Sequence, residues 1–532
     1  MCSTRGVGTV ALCVFLTAIC GVALSAGAAA PTASGDAGGP WTVYHGDPTG
    51  DGDAAAVTSV DLSSRAWTSP NLQGQIYGEP LEWDGHVFVA SENDTVYALS
   101  AATGGVLWSA HVGTPVPSSA LPCGDIAPTV GITGTPVLDA PRSEVFVVAD
   151  ELVGQRPAHL LVGLDAATGK VELSQEVDPS GSTTAALLQR TGLALDAGRV
   201  VFGFGGNYGD CSSYHGWVVS VPETGGAAED YSVDSGAGES QGAIWMGGAA
   251  PVVDSGGHIW VEAGNGSVTS PGSSYDDSDS VLELSPTLGL VQYFAPTSWA
   301  SENARDLDLS TAPALLGDGT VVAAGKDGNA YLLDGAHLGG IGGEQSSVTK
   351  ACAQDIDGGA AISGTTVYLP CLNGPVAVQA SSNPADIRLL WRAAVGGGPP
   401  IVAAGLVWSI GQNGTLYGLN ATTGAVVEQA SVGAPANHFP TPSVGGGELF
   451  AAGATDVVAF HVTTTSAVGG TTTSSAPSTT TTTTRAAAIS EPRTSTGGIP
   501  AAVTAAIVVG VLAVVGAVVW LWRRTRRRGA AH

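Results

Sequence analysis

The stretch VYALSAATGGVLW, residues 96–108, decides the fold. Apolar and small residues alternate over its first half, as they do in a short strand, and Val106 begins a second strand. Thr103 and Gly104 lie between the two and favour a tight turn, because glycine adopts a positive φ without steric cost. The stretch therefore predicts a pair of antiparallel strands joined by a tight turn.

The same pattern returns twice, as LVGLDAATGKVEL at residues 161–173 and as LYGLNATTGAVVE at residues 416–428. Weaker copies lie near Trp217, Val281 and Tyr331. The spacing of roughly 40 to 65 residues is in the range of propeller blades rather than of helical repeats. The chain is thus predicted to be built from repeated small sheets.

These repeats resemble those of the pyrroloquinoline-quinone-type β-propellers, in which a small residue, a polar residue, Thr-Gly and Trp recur in a fixed frame. The residues that match this frame are Ala98, Ser100, Thr103, Gly104 and Trp108. Leu173 and Glu428 replace the Trp in later copies, so we expect incomplete stacking between blades. The resemblance covers most of residues 41–462 and implies an all-β fold of eight blades, with seven as the alternative.

The two ends of this region are predicted to meet. The last group of strands, at residues 441–461, lacks a fourth strand, and the isolated strand at residues 65–67 can supply it. Closing the ring in this way leaves no sheet edge unpaired between the first and last blades.

The segments outside the propeller predict export and anchoring. Residues 1–30 read as a secretory signal peptide, and the Ser/Thr-rich residues 463–498 as a disordered stalk. Residues 499–522 carry no charge and are long enough for a transmembrane helix, and residues 523–532 form a basic tail that favours the cytoplasm. We therefore expect a single-pass protein of the cell membrane with an extracellular N-terminal domain.

The charge argues against one class of partner. The net charge is −27, and nucleic-acid binding needs clustered Lys and Arg, so we expect no nucleic acid. The expected partner is an envelope protein or a small ligand, which the sequence does not identify.

Four of the seven cysteines remain after removal of the signal peptide: Cys123, Cys211, Cys352 and Cys371. An even number in an oxidising compartment favours disulfides, and four cysteines allow three pairings. We favour Cys352–Cys371 around one predicted hairpin and Cys123–Cys211 between neighbouring blades. A metal site is the alternative, although no CxxC motif or nearby His pair supports it.

Part of the chain also resembles the quinone-dependent alcohol dehydrogenases of this superfamily. The resemblance implies that Asn265 and Asp306 hold calcium, that Asp306 is the catalytic base, and that Trp245 and Lys326 contact the quinone. The sequence departs from the family where Asn207 stands in place of a calcium-binding Glu. It also has no adjacent pair of cysteines and no CxxCH haem motif.

Two functions therefore stay open. The first is a non-catalytic binding or scaffold module of the cell envelope, for which we expect no cofactor. The alternative is a dehydrogenase that uses pyrroloquinoline quinone and calcium, with Asp306 as base. For Asp276, Asp277 and Asp279 we expect a solvated loop rather than a calcium site.

Overall fold

A computed structural model describes residues 39–465, which form eight small antiparallel sheets arranged as the blades of a propeller. The prediction of an all-β fold with eight blades is confirmed. Helix within these residues is limited to short turns: Trp299–Asn303, which is α-helical, and Ser118–Ala120, Thr184–Ala186 and Met246–Gly248, which are 3₁₀ turns.

The strands follow the chain order within each blade. Blade 1 contains Leu81–Trp83, His86–Ser91, Thr95–Ser100 and Val106–His111, and blade 2 contains Val137–Asp139, Glu144–Val153, Arg156–Asp165 and Val171–Glu176. Blade 3 contains Leu187–Gln189, Ala194–Asp196, Arg199–Gly206, Trp217–Pro222 and Glu229–Ser232. Blade 4 contains Val252–Val253, Ile259–Ala263, Ser280–Leu284 and Leu290–Ala295. Blade 5 contains Ala314–Leu315, Thr320–Ala324, Ala330–Asp334 and Ser346–Val348. Blade 6 contains Ala361–Ser363, Thr366–Leu369, Val376–Ser382 and Ala385–Arg392, and blade 7 contains Ile401–Ala403, Leu406–Ile410, Thr415–Asn420 and Val426–Ser431.

Two additional short strands extend these sheets, and a separate hairpin follows blade 1. Gly340–Ile341 pairs in parallel with the outer strand of blade 4, and Asp53–Ala54 pairs in parallel with the inner strand of blade 7. The hairpin joins Val116–Pro117 to Thr129–Val130.

The up-and-down order of the strands gives the ring two faces. The connections between the second and third strands, and those between blades, lie on one face, which we call the loop face. The connections between first and second strands, and between third and fourth strands, lie on the opposite turn face. The fourth strands are the most exposed, as in Val106–His111, which places them at the outside of the ring.

Blade 8 joins the two ends of the propeller. Its own strands are Ser443–Gly445, Glu448–Ala452 and Val457–Thr464. Trp67–Thr68 pairs with the last of these, with Trp67 opposite Ala459, which confirms the predicted closure. Val57–Asp61 pairs with the same strand, so the outer strand has two pieces instead of one. The last strand ends at Thr464, so the first residues of the predicted stalk belong to this blade.

The Thr-Gly turn of each clear repeat receives a tryptophan from the preceding blade. A Cβ on Gly104 would lie 2.4 Å from the ring of Trp67, and the Trp67 Nε1 donates to the Ala101 carbonyl at 2.6 Å. The same contacts are made by Trp108 with Gly169 and Ala166, and by Trp391 with Gly424 and Ala421. Gly is therefore required at these turns both for its positive φ and for the space that the indole fills.

The junction between blades 2 and 3 lacks the tryptophan, as expected. At blade 3 a Cβ on Gly225 would meet the smaller Leu173 side chain at 2.9 Å.

The N-terminal segment, residues 41–54, runs along the inner ends of the blades. Leu138 of blade 2 donates to the Thr42 carbonyl at 2.9 Å, and Ile362 of blade 6 donates to the Asp51 carbonyl at 2.7 Å. Glu79 is buried and accepts hydrogen bonds from Trp41 Nε1 and the His45 amide, both at 2.8 Å. The central channel is thus occupied at this level by the chain itself.

The described residues contain no helix that is long and apolar enough to cross a bilayer. The predicted signal peptide (1–30), transmembrane helix (499–522) and tail (523–532), and nearly all of the stalk (463–498), lie outside those residues.

Both predicted disulfides are present. Cys123 of the segment between blades 1 and 2 pairs with Cys211 of blade 3, with a Cα–Cα distance of 6.2 Å. Cys352 pairs with Cys371, with a Cα–Cα distance of 5.6 Å.

We expect the Cys123→Ser/Cys211→Ser variant to lose more stability than the Cys352→Ser/Cys371→Ser variant. The two bonds span 88 and 19 residues, and a longer loop restricts the unfolded chain more strongly. Each loss should be about 2–5 kcal/mol in the free energy of unfolding, and the loop-entropy difference between the pairs about 1 kcal/mol. Urea unfolding of the two variants, each the control for the other, measures this. Equal losses would contradict the entropic explanation.

Candidate functional site

The candidate site lies on the loop face of blades 4 and 5. Asn265 follows the second strand of blade 4, Ile259–Ala263, and Lys326 follows the second strand of blade 5, Thr320–Ala324. Asp306 and Asp308 lie in the connection between these blades. Asn265 and Asp306 both have a positive φ, which Asn and Asp tolerate better than most residues do, so both suit sharp loops.

Asp308 is the centre of this cluster. Its side chain is 0% exposed, and Lys326 Nζ donates to its Oδ2 at 2.6 Å. The Asn265 amide donates from the backbone to Oδ1 at 3.0 Å. When the Asn265 side chain is oriented to satisfy its neighbours, its nitrogen donates to Asp308 Oδ1 at 2.6 Å and to Asp306 Oδ1 at 3.1 Å.

The charges of the pair depend on each other. Burial raises the pKa of Asp308 to about 6, although the Lys326 ammonium opposes that rise. Burial lowers the pKa of Lys326, but the attraction of Asp308 and Asp357 outweighs it and leaves the pKa above the usual range of lysine. At neutral pH the site therefore holds a buried, charged ion pair.

All four residues that the dehydrogenase resemblance singled out lie in one cluster. Lys326 Nζ is 3.4 Å from Asp306 Oδ1 and 5.8 Å from the centre of the Trp245 ring. Trp245 is fixed by its Nε1, which donates to the Gly206 carbonyl at 2.9 Å. The prediction that Asn265, Trp245, Asp306 and Lys326 share a site thus agrees with their placement, and their roles stay predictions.

The buried carboxylate is Asp308 rather than Asp306. The Asp306 side chain is 71% exposed, whereas Asp308 is enclosed by Asn265 and Lys326. The Asp-x-Asp pattern offers two carboxylates at neighbouring positions, and nothing in the sequence tells which of them turns inward.

The expectation of a solvated acidic loop is wrong for two of its three residues. Asp279 is 0% and Asp276 is 3% exposed. Asp279 Oδ1 accepts the Leu309 amide at 3.3 Å, which fastens this loop to the segment that carries Asp308. Burial, followed by the repulsion of Asp308 and Glu302, raises the pKa of Asp279 well above its usual range.

A disulfide-linked loop of blade 3 borders the cluster. Tyr214 donates to Asp210 Oδ1 at 2.5 Å, and in the orientation that satisfies its neighbours Asn265 places its side-chain oxygen 3.5 Å from the Tyr214 hydroxyl. Asn207, Asp210 and Tyr214 line a shallow depression beside the Cys123–Cys211 disulfide, and this depression has essentially no internal volume. Sequence analysis did not find Asp210 or Tyr214, because their link to Asn265 exists only in the folded ring.

Asn207, which replaces the calcium-binding Glu of the dehydrogenases, is turned toward the backbone. Its Nδ2 donates to the Ala185 carbonyl at 3.0 Å, and only 4% of the residue is exposed. This position therefore contributes an amide in a structural hydrogen bond and no carboxylate.

Glu262 is a buried residue next to the site that accepts hydrogen bonds from Thr311. It is 0% exposed, and its carboxylate accepts the Thr311 amide at 2.7 Å and the Thr311 hydroxyl at 3.0 Å. Thr311 follows Asp308 closely in the chain, so this contact fixes the connection that carries the buried carboxylate.

We expect Glu262→Gln to flatten the dependence of stability on pH. Burial raises the pKa of Glu262 to about 8, so between pH 4.5 and 8 the folded state holds a proton that the unfolded state releases. The contribution of this group to stability is present at the acid end and is lost as the pH rises, by up to about 1.4 kcal/mol per pH unit.

Denaturant unfolding from pH 5 to 9 measures this slope. The exposed Glu229→Gln is the control and should follow the wild type. An unchanged slope in Glu262→Gln would contradict the raised pKa.

Comparison with known proteins agrees with the fold and the repeats. The repeats and the fold together define the chain as a propeller of pyrroloquinoline-quinone-type repeats. The family model described as "Outer membrane protein assembly factor BamB" matches residues 53–277 and 339–521, and the chain belongs to this family. A search of curated proteins finds no match.

Solved structures show the same fold at low sequence identity. Quinohemoprotein alcohol dehydrogenase from Comamonas testosteroni is 16% identical, with a TM-score of 0.60 over 81% of this chain and 82% of that one. Quinohemoprotein alcohol dehydrogenase ADHIIG from Pseudomonas putida HK5 is 14% identical, with a TM-score of 0.61 over 82% of this chain and 82% of that one.

Proposed function

We propose that this chain is a membrane-anchored extracellular propeller that binds a partner or ligand of the cell envelope and is not an enzyme. The observation that carries the proposal is the contact of 2.6 Å between Lys326 Nζ and Asp308 Oδ2. The buried carboxylate of Asp308 is therefore paired with a cation that the protein itself supplies.

The remaining residues fit a calcium–quinone pair poorly. Calcium takes six to eight oxygen ligands. Asn207 supplies no carboxylate, and Asp306 is largely exposed. The depression beside the Cys123–Cys211 disulfide has essentially no internal volume, whereas small-molecule sites begin at roughly 300 Å³. We therefore assign no step of catalysis to this cluster.

The loop face is the binding surface that we favour. The central channel is a less suitable surface, because residues 41–54 run along the inner ends of the blades and accept hydrogen bonds from several of them. The loop face carries the longest connections, including the disulfide-linked loop with Tyr208, which is 70% exposed. Loops held on a rigid scaffold commonly carry binding function.

The place of action follows from features outside the ring. A signal peptide and a C-terminal apolar segment are predicted from the sequence, and disulfides form in oxidising compartments. Two disulfides are present, in keeping with an extracellular domain. Membership of a family described as an outer membrane protein assembly factor supports a scaffold role at the envelope.

A dehydrogenase is the second candidate, and one observation favours it. Asn265, Asp306, Lys326 and Trp245, which the enzyme resemblance selected, lie together on the loop face. If such a cofactor binds, Lys326 and Trp245 would hold the quinone and Asn265 and Asp306 the cation.

Site-specific photo-crosslinking in intact cells tests the binding proposal. A photoreactive phenylalanine analogue at Tyr208 on the loop face should give a discrete adduct with an envelope component. The same analogue at Lys170, an exposed position on the turn face, is the control and should give none. Adducts at neither position, or at Lys170 alone, would contradict binding through the loop face.

A further inference from the structure

Blade 4 carries a second polar cluster at its opposite end, on the turn face. Asp254 and His258 belong to the turn between its first and second strands, and Glu283 lies in the third strand. Asn265 follows the other end of the second strand, roughly 20 Å away along an extended chain. The cluster is therefore separate from the candidate site.

Three ligand atoms converge in this cluster. His258 Nδ1 lies 2.8 Å from Glu283 Oε1 and 3.5 Å from Asp254 Oδ2, and all three atoms are within 4.8 Å of one another. The ligand atoms around a tetrahedral zinc ion are about 3.3 Å apart, which follows from metal–ligand bonds of about 2.0–2.1 Å. Within the described part of the chain, this is the one set of three His, Cys, Asp or Glu residues whose ligand atoms all lie within 4.8 Å of one another.

The carboxylates are held in place by groups outside the cluster. Gln292 Nε2 donates to Glu283 Oε2 at 2.5 Å, and Gln292 is itself fixed because it donates to the Gly335 carbonyl at 2.9 Å. Trp260 Nε1 donates to Asp254 Oδ2 at 3.1 Å. Outer hydrogen bonds of this kind orient the ligands of metal sites.

The imidazole of His258 faces more acceptors than it can satisfy. A single Nδ1 faces two carboxylate oxygens, and one N–H group can satisfy only one of them well. A cation between the three atoms would accept the lone pairs of all of them. One His and two carboxylates suit zinc or a similar transition metal, whereas calcium prefers oxygen ligands alone.

We propose that Asp254, His258 and Glu283 form a site for a divalent transition-metal ion, with Zn²⁺ as the best match. The site is accessible, since the side chains of His258 and Asp254 are 38% and 25% exposed. Three protein ligands leave a fourth position for water or for a side chain of a bound partner. The ion ties the turn of blade 4 to its third strand.

Zinc titration of the full-length chain, purified without an affinity tag and stripped with EDTA, tests the proposal. Calorimetry with Zn²⁺ should give one site per chain, and Co²⁺ should give the visible absorption of a tetrahedral complex. His258→Gln and Glu283→Gln should each weaken zinc binding at least tenfold. Asp254→Asn provides a third variant that keeps the shape of the side chain if one of the others fails to fold.

A matched control exists in blade 8. His461 Nδ1 lies 2.8 Å from Glu448 Oε1, in the same kind of contact. Asp61 lies opposite His461 on the neighbouring strand, but among the described residues no third ligand atom comes within 4.8 Å of both. His461→Gln should leave the stoichiometry and the affinity unchanged. Absence of zinc binding, or binding that survives all three substitutions in blade 4, would overturn the proposal.

Discussion

Trp67→Ala is expected to lower the free energy of unfolding by about 3–5 kcal/mol, the range for truncation of a buried aromatic side chain. Trp67 is 8% exposed and fills the space above Gly104, and its Nε1 bonds the Ala101 carbonyl at 2.6 Å. Its backbone also pairs with blade 8. One side chain thus contacts both the first and the last blade, so its loss weakens the closure of the ring.

Two further variants separate closure from general packing. Trp67→Phe keeps an aromatic ring above Gly104 but loses the hydrogen bond to the Ala101 carbonyl. The loss of this hydrogen bond should lower the free energy of unfolding by about 1 kcal/mol, in addition to the effect of the smaller ring. Leu107→Ala changes a side chain of blade 1 that is 53% exposed and should stay within about 0.5 kcal/mol of the wild type. If Trp67→Ala were as mild as Leu107→Ala, the ring would not depend on this contact.

Lys326→Met is expected to destabilise the fold by about 3–5 kcal/mol at pH 8. Removal of one partner of a buried ion pair leaves the other charge uncompensated. Asp308 is 0% exposed and has Lys326 as its nearest cation, at 2.6 Å. Unfolding in denaturant at fixed pH measures the loss.

The loss should become smaller at pH 5. With Lys326 present the pKa of Asp308 is already raised to about 6, and removal of the ammonium raises it further. Below that pKa the folded variant holds a neutral Asp308, which does not need a counter-charge. Lys170→Met is the control, because its partner Glu172 is 47% exposed and such a pair is worth about 0–1 kcal/mol. An equal loss at both pH values would contradict a buried charged pair.

The repeats made the fold predictable from the sequence. Strand alternation and the Thr-Gly turns gave the blades, and the incomplete last group pointed to the strand near Trp67. The second piece of that outer strand, Val57–Asp61, was missed because its apolar positions are interrupted by exposed polar residues. The path of residues 41–54 through the ring was also not predictable, because it depends on backbone hydrogen bonds that any residue can make.

The candidate site was predictable in part. The resemblance to the dehydrogenases selected Asn265, Asp306 and Lys326, and the structure places all three on the loop face, in connections at the same end of blades 4 and 5. The inward turn of Asp308 and the burial of Asp279 depend on tertiary packing, which spacing along the chain does not encode. The same holds for Asp254, His258 and Glu283, whose ligand atoms meet only across two strands.

The central claim is that the cluster around Asp308 is balanced by Lys326 and performs no quinone chemistry. The most direct test adds pyrroloquinoline quinone and calcium to the detergent-solubilised full-length chain and follows both retained quinone absorbance and alcohol oxidation. Our account predicts no stoichiometric quinone after gel filtration and no turnover. One quinone retained per chain, together with alcohol oxidation that Asp306→Asn abolishes, would contradict it.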